Sequence, residues 1–282
     1  MNNIIETINR KIWLLKYYMN NIIFVKIGSK IALRNIQKYS EIWSQVKNDL
    51  GDKNLEEILV VGNGPSLNSK DLESLSEIPS IASNKIFLLF ENTSWRPDLY
   101  TICDNLLAFK LRSKVFHEFQ HVLCSHRTFY MLRKARNKVP WRDISFDEFL
   151  NTFNKKSWEI DPRYGIFEAF TITIQNIQLA IWLGAKKIYL IGIDHFYKEE
   201  QAKSAGKKLS HDGVNHFHPE YRKKGEIVNN APVEKMNRSY KIMKQFADLH
   251  GVEIINISRK TALDVYPHIN IDDFIKERFA IN

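Results

Sequence analysis

Two glycines one residue apart, followed by a proline and a hydroxyl, make Gly62-Asn63-Gly64-Pro65-Ser66 the segment best suited to hold an anion. They follow the apolar run Ile58–Val61 and precede a helix start near Ser69. In that context glycines let backbone N–H groups approach an anion and the helix dipole adds to them. The loop is therefore expected to cradle a phosphate, with a plain structural turn as the alternative. Leu67 replaces the third glycine of a GxGxxG fingerprint, and Asn84 stands where a ribose-binding acid is expected, which argues against a nicotinamide or flavin enzyme. There is no GxxxxGK[ST], so a P-loop NTPase is excluded.

The second reactive segment is rich in histidine. Residues 195–224 hold His195, His211, His216 and His218 with Asp212, Tyr221, Arg222, Lys223 and Lys224. The stretch reads as a long lid, about 195–232. Histidine is the side chain best suited to take a proton from a hydroxyl near neutral pH, so this segment is expected to supply a base. Arg222 and Lys223 are placed to neutralise a phosphate or carboxylate. Two alternatives stay open: solvated loop histidines, or a metal held by His211, His216, His218 and Asp212, although the spacing matches no standard zinc motif. No Asp-x-Asp pair occurs to hold a divalent ion on a diphosphate, which favours a monophosphate-linked ligand with no metal or other cofactor required.

The elements that must position these residues read as α/β from residue 55 onward. Strands are expected at Ile58–Val61, Ser80–Ala82, Leu99–Ile102, His121–Cys124, Lys187–Ile191 and Val252–Ile257. Helices are expected at Lys70–Leu75, Phe167–Leu183 and Val233–His250. The fold class is a Rossmann-like, mostly parallel sheet flanked by helices, with an N-terminal helical extension (1–50) on a catalytic domain (51–282). Polar residues follow nearly every strand: Asn63, Ser83-Asn84, Asp104-Asn105, Ser125, Asp194 and Ser258. In an open parallel sheet such residues converge on one crevice, although loops are polar in any case.

Charge is uneven along the 282 residues. The net +9 is concentrated in residues 1–50 and 110–142. Residues 4–47 read as helical, with Ile8, Ile12, Leu15, Met19, Ile22 and Ile23 on one side, either packing on the domain or resting on an anionic membrane or a partner. The stretch 110–142 mixes cations with Phe116, Phe119, Phe129, Tyr130 and Trp141. No nucleic-acid module accompanies it, so an anionic surface or acceptor is expected rather than nucleic acid. Cys103 and Cys124 form no framework or CxxC motif, the start lacks a secretory leader, and no apolar run spans a bilayer. A cytoplasmic protein, peripheral at the inner face of the membrane if bound there, is expected. A homo-oligomer is compatible with this.

The segment Glu57 to Asp104, with Val-Gly-Asn-Gly-Pro-Ser-Leu, then Ser83-Asn84-Lys85-Ile86-Phe87-Leu88 and Trp95-Arg96-Pro97-Asp98-Leu99-Tyr100, resembles the MptE-like family. That family covers 6-hydroxymethylpterin diphosphokinases and related motility-associated flagellin glycosyltransferases that use CMP-activated nonulosonic acids. Ala180 to Asp194, followed by Phe196-Tyr197, is similar to bacterial sialyltransferases that cap lipooligosaccharides. The resemblance implies that Asn63, Asn84 and the Asp104-Asn105 pair contact CMP, that Asp194 closes a strand end at the site, that Tyr197 assists the departing phosphate, and that the catalytic base is His216 or His218 of the segment Asn215-His216-Phe217-His218. His195 is an insertion against that pattern. Thr171 is the position nearest the sialyltransferase pattern on its helix. It also implies the expected function: inverting, metal-independent transfer of an acidic sugar from a CMP-sugar to a surface glycan or glycolipid. The alternative is a diphosphokinase moving pyrophosphate from ATP, with Mg²⁺ held by Asp104 and Asp194.

Overall fold

A computed structural model describes residues 2–114, 116–153, 159–197, 207–209 and 215–280. Seven strands, β1 (Glu57–Val61), β2 (Ser80–Ser83), β3 (Leu99–Ile102), β4 (Val122–Ser125), β5 (Lys138–Trp141), β6 (Lys187–Ile191) and β7 (Glu253–Asn256), form one sheet. Their order is β7-β6-β1-β2-β3-β4-β5, and every neighbouring pair is parallel. This is the expected α/β, Rossmann-like architecture. The chain winds outward from β1 to β5 and then crosses back to the far side of β1 for β6. β1 and β6 are therefore neighbours where the winding of the sheet reverses, the place at which a ligand crevice is expected beyond the carboxyl ends of the strands.

Side chains alternate across a strand, so β1 feeds two cores. Ile58 and Val60 enter one, Leu59 and Val61 the other, all at most 1% exposed. The first core is covered by α2 (Ser40–Asn48), α3 (Ile172–Leu183) and α4 (Val233–Leu249). The second lies under α1 (Asn2–Asn20), α5 (Ile271–Phe279) and the short helices Ser69–Ser74 and Asn105–Lys110. Coverage of both faces is why these strands read as continuous apolar runs.

Three elements differ from the sequence reading. Strand β5 has no alternating signature and contains Pro140; it forms the sheet edge, where a residue without an N–H is tolerated. The helix expected from Phe167 begins only at Ile172, because Ile166 and Phe167 pair with Asp143–Ile144 in a small parallel ladder and Thr171 caps the helix by accepting from the Thr173 N–H at 3.4 Å. Residues 4–47 are helical but divided: α1 continues through a π-helical turn, Asn21–Gly28, into Ser29–Arg34, a 3₁₀ turn and α2.

The N-terminal segment packs on the sheet domain through one face. Tyr17 is 3% exposed, and the rings of Trp13 and Tyr17 meet Phe109 edge-on at 5.3 and 5.4 Å. Among the described residues no helix is long and apolar enough to cross a membrane.

Candidate functional site

Beyond the carboxyl ends of the strands lies a cleft of about 660 Å³, within the size range of small-ligand sites. Strand ends bring Asn63, Asn84, Asp104, Asn105, Ser125 and Asp194 to its wall, joined by Tyr17, Thr171 and Tyr197. Ser258 serves structure instead: its hydroxyl accepts the Ile193 N–H at 2.9 Å.

The glycine loop does something other than the sequence implies. The Gly62 N–H donates to Ile191 O and the Gly64 N–H to Gly192 O, each at 2.8 Å. The Ser66 N–H and hydroxyl donate to the two carboxylate oxygens of Asp194, at 2.7 and 2.5 Å. A Cβ on Gly62 would lie 2.4 Å from Gly192 O, and one on Gly64 2.5 Å from Asp194 Oδ1. The glycines are thus required by two loops pressed together at the switch point. The expected cradle of Gly62–Ser66 amides is corrected: three of its N–H groups are already bonded, and Ser66 turns away from the cleft that Gly62, Asn63, Gly64 and Pro65 border. Asp194, 4% exposed, has its carboxyl pushed up by burial, with the Ser66 bonds opposing.

Asn63 Oδ1, Asn84 Oδ1, Asn105 Oδ1 and Gln175 Oε1 are buried at the cleft wall with no hydrogen-bond partner among the described residues. Asn84 is held there in left-handed backbone at φ 60, while its carbonyl accepts the Tyr100 hydroxyl at 2.6 Å. Leaving such a group unsatisfied costs about 1–3 kcal/mol, so four together call for a ligand rich in N–H and O–H groups. Asp104 is already committed: Oδ1 caps the Asn105–Lys110 helix, accepting from Leu106 and Leu107 N–H, and Oδ2 accepts from Asn229 Nδ2 at 2.8 Å.

The lid separates the two candidate histidines. His216 lines the cleft, stacks on Tyr221 at 3.9 Å and leaves Nδ1 buried without a partner among the described residues. Burial, then the charges of Arg222 and Lys85, lower its pKa to about 3. His218 instead caps the turn Pro219–Tyr221, its Nδ1 accepting the Glu220 N–H at 3.1 Å, and it does not border the cleft. Arg222 borders the cleft and, among the described residues, its guanidinium makes no hydrogen bond or ion pair. Lys223 is exposed and lies outside the cleft wall. Lys85 donates to Tyr221 O at 2.5 Å, and burial lowers its pKa. Tyr197 faces the cleft with its hydroxyl 3.8 Å from the Met236 sulfur, a weak acceptor, and burial raises its pKa. His195 turns the chain at φ 56 and bonds Asn237, so the inserted residue is absorbed without taking Tyr197 out of the site. His211 and Asp212, from the alternative metal set, lie outside the described residues.

A further cluster at the other end of the cleft has no sequence signature. Arg127 grips Glu168 with Nη1 2.7 and 2.6 Å from its two carboxylate oxygens, beside Ser125 and Asp143, whose side chains are hydrogen-bonded. Glu168 has its pKa raised by burial. These residues meet only because Asp143–Ile144 pairs with Ile166–Phe167.

A family model described as 6-hydroxymethylpterin diphosphokinase MptE-like matches residues 30–200. The chain belongs to the MptE-like family. No curated protein matches it. Among solved structures, it is similar to the MAf glycosyltransferase from Magnetospirillum magneticum AMB-1, with 14% identity and a TM-score of 0.48 over 81% of this chain. It spans 37% of that protein's length. The MptE-like match takes in the glycine loop, the strand-end residues, Thr171, Asp194 and Tyr197. His216 and Arg222 lie beyond it, as does α1.

Proposed function

We propose that this MptE-like chain is an inverting, metal-independent glycosyltransferase that moves an acidic, sialic acid-like sugar from a CMP-linked donor to a glycan or glycolipid hydroxyl. The observation that carries this reading is the set of four amide oxygens and one arginine at the cleft wall that have no partner among the described residues. The oxygens suit the amine and hydroxyls of cytidine and sugar, and Arg222 suits the phosphate. In the step, the ring of His216 takes the proton of the acceptor hydroxyl as its oxygen bonds to the anomeric carbon. The bond from that carbon to the phosphate oxygen breaks on the opposite face, and its electron pair leaves with CMP. Tyr197 donates to the departing phosphate, and Arg222 with Lys85 balances its charge. Direct displacement inverts the anomeric centre. The free Arg127–Glu168 end of the cleft is where the sugar or acceptor would extend.

The diphosphokinase reading needs Mg²⁺ on carboxylates. In Asp104 and Asp194 all four carboxylate oxygens already accept protein N–H or O–H groups, which favours the transferase. Thermal shift in EDTA compares CMP, CDP, UDP and ATP, each repeated with Mg²⁺. We expect CMP at about 100 times its Kd to add about 2.7 kcal/mol, roughly 5–10 °C for a chain of this size, without metal. Stabilisation by ATP that appears only with Mg²⁺ would overturn the assignment.

A further inference from the structure

The N-terminal helix is apolar on two opposite faces. Its inner face is held on the domain by Trp13 and Tyr17 against Phe109, and further along by Gly28, where a Cβ would lie 3.0 Å from the Tyr130 ring. The outer face presents Ile8, Ile12, Leu15, Met19, Ile22 and Ile27, each 47–62% exposed. Steps of 3 or 4, and one of 5 within the wider π-helical turn Asn21–Gly28, keep them in one stripe. With Ile31 the stripe runs roughly 35 Å at about 1.5 Å per residue. Lys11 and Lys16 stand on either side of it, and between Thr7 and Lys38 there are seven Lys or Arg and no acid. All seven are exposed, and none is ion-paired among the described residues.

We propose that this outer face docks on an anionic phospholipid surface. An apolar stripe whose flanking charges are all cations matches the boundary between acyl chains and negative headgroups. A second copy fits worse: Ile12, Leu15, Met19 and Ile22 follow coiled-coil spacing, but a parallel pair would set Lys11 against Lys16 with no acid to offset them. The exposed Arg133, Lys134 and Arg136 follow Tyr130, on which Gly28 packs, and extend the basic margin. Because the inner face is pinned, the outer stripe cannot roll inward. Tyr17, on the same helix, borders the cleft, so lipid docking would bring the cleft mouth to the surface and expose it to lipid-linked acceptors.

The inference is independent of the transferase reading, since its test measures no turnover. The full chain is floated with phosphatidylcholine vesicles with and without phosphatidylglycerol. We expect binding to the anionic vesicles only, weakened by added salt. The triple variant Ile12→Ser, Leu15→Ser, Met19→Ser abolishes it. The pair Lys11→Gln, Lys16→Gln lowers partitioning about 25-fold, at about fivefold per cation. Both variants should melt like the wild type, as these side chains are exposed. Absent binding, equal binding to neutral vesicles, or binding indifferent to both variants would overturn the proposal. So would a dimer in sedimentation velocity that the triple variant dissolves without any vesicle binding.

Discussion

His216 is uncharged near neutral pH, but burial and the charges of Arg222 and Lys85 leave its ring too weakly basic to serve well as a base in the free protein. A donor phosphate between those cations would cancel the repulsion that disfavours a protonated ring. We expect the His216 pKa to rise from about 3 when CMP is added, read from its ring resonances by NMR; no movement would contradict the assignment. The same depression has a stability consequence. Between pH 6.5 and about 3 the unfolded chain binds a proton at His216 that the folded chain refuses, so stability rises with pH across that window and is lost as pH falls through it. His216→Asn should flatten this part of the melting-temperature profile. Arg222→Gln should raise the donor KM about 10- to 100-fold, as a charged hydrogen bond contributes about 1.5–3 kcal/mol. Its melting temperature should hardly move, because the guanidinium has no partner to lose among the described residues. The strand-end residues Asn63, Asn84 and Asn105 were legible in the sequence because each follows an apolar run. The choice between His216 and His218 was not, since both sit in one short segment and only the folded turn shows which ring is used as a cap.

At the scale of elements, the β1 and β6 loops act as one unit, with Ser66 and Asp194 as the clasp. Gly64→Ala places a methyl 2.5 Å from Asp194 Oδ1 and 2.7 Å from Gly192 O, and backbone cannot yield as a flexible side chain can. We expect a loss of about 1–3 kcal/mol in urea melts with weaker CMP binding, and unchanged stability would show that the loops can separate. Sequence spacing located this loop but misassigned its amides, because the partner loop arrives from 128 residues away. Contacts between distant residues also decide how much of the basic stretch 110–142 is left free. Phe116, Phe119, Phe129 and Trp141 are at most 6% exposed, while Lys110, Lys114, Arg127 and Arg142 pair with Glu226, Glu118, Glu168 and Glu148. Most of that stretch is therefore core and internal ion pair, and its free cations gather at Arg133–Arg136.

For the whole molecule, the parallel sheet was readable from alternating apolar runs and helices, but not the order of its strands. No local pattern tells that β6 returns beside β1, and that return creates the cleft. The same topology gathers cations on the lid side, acceptor oxygens on the strand ends and an acid–arginine pair at the far end of a single cavity. Such an arrangement suits one extended, anionic, hydroxyl-rich substrate whose phosphate lies under Arg222. The most direct test measures CMP release from a CMP-activated sialic acid in EDTA with a glycan acceptor, by wild type and His216→Asn. We expect acceptor-dependent release by the wild type, reduced about 10²–10⁴-fold in the variant while CMP still binds. Release that needs Mg²⁺, or that His216→Asn leaves intact, would contradict a metal-independent transferase with His216 as its base.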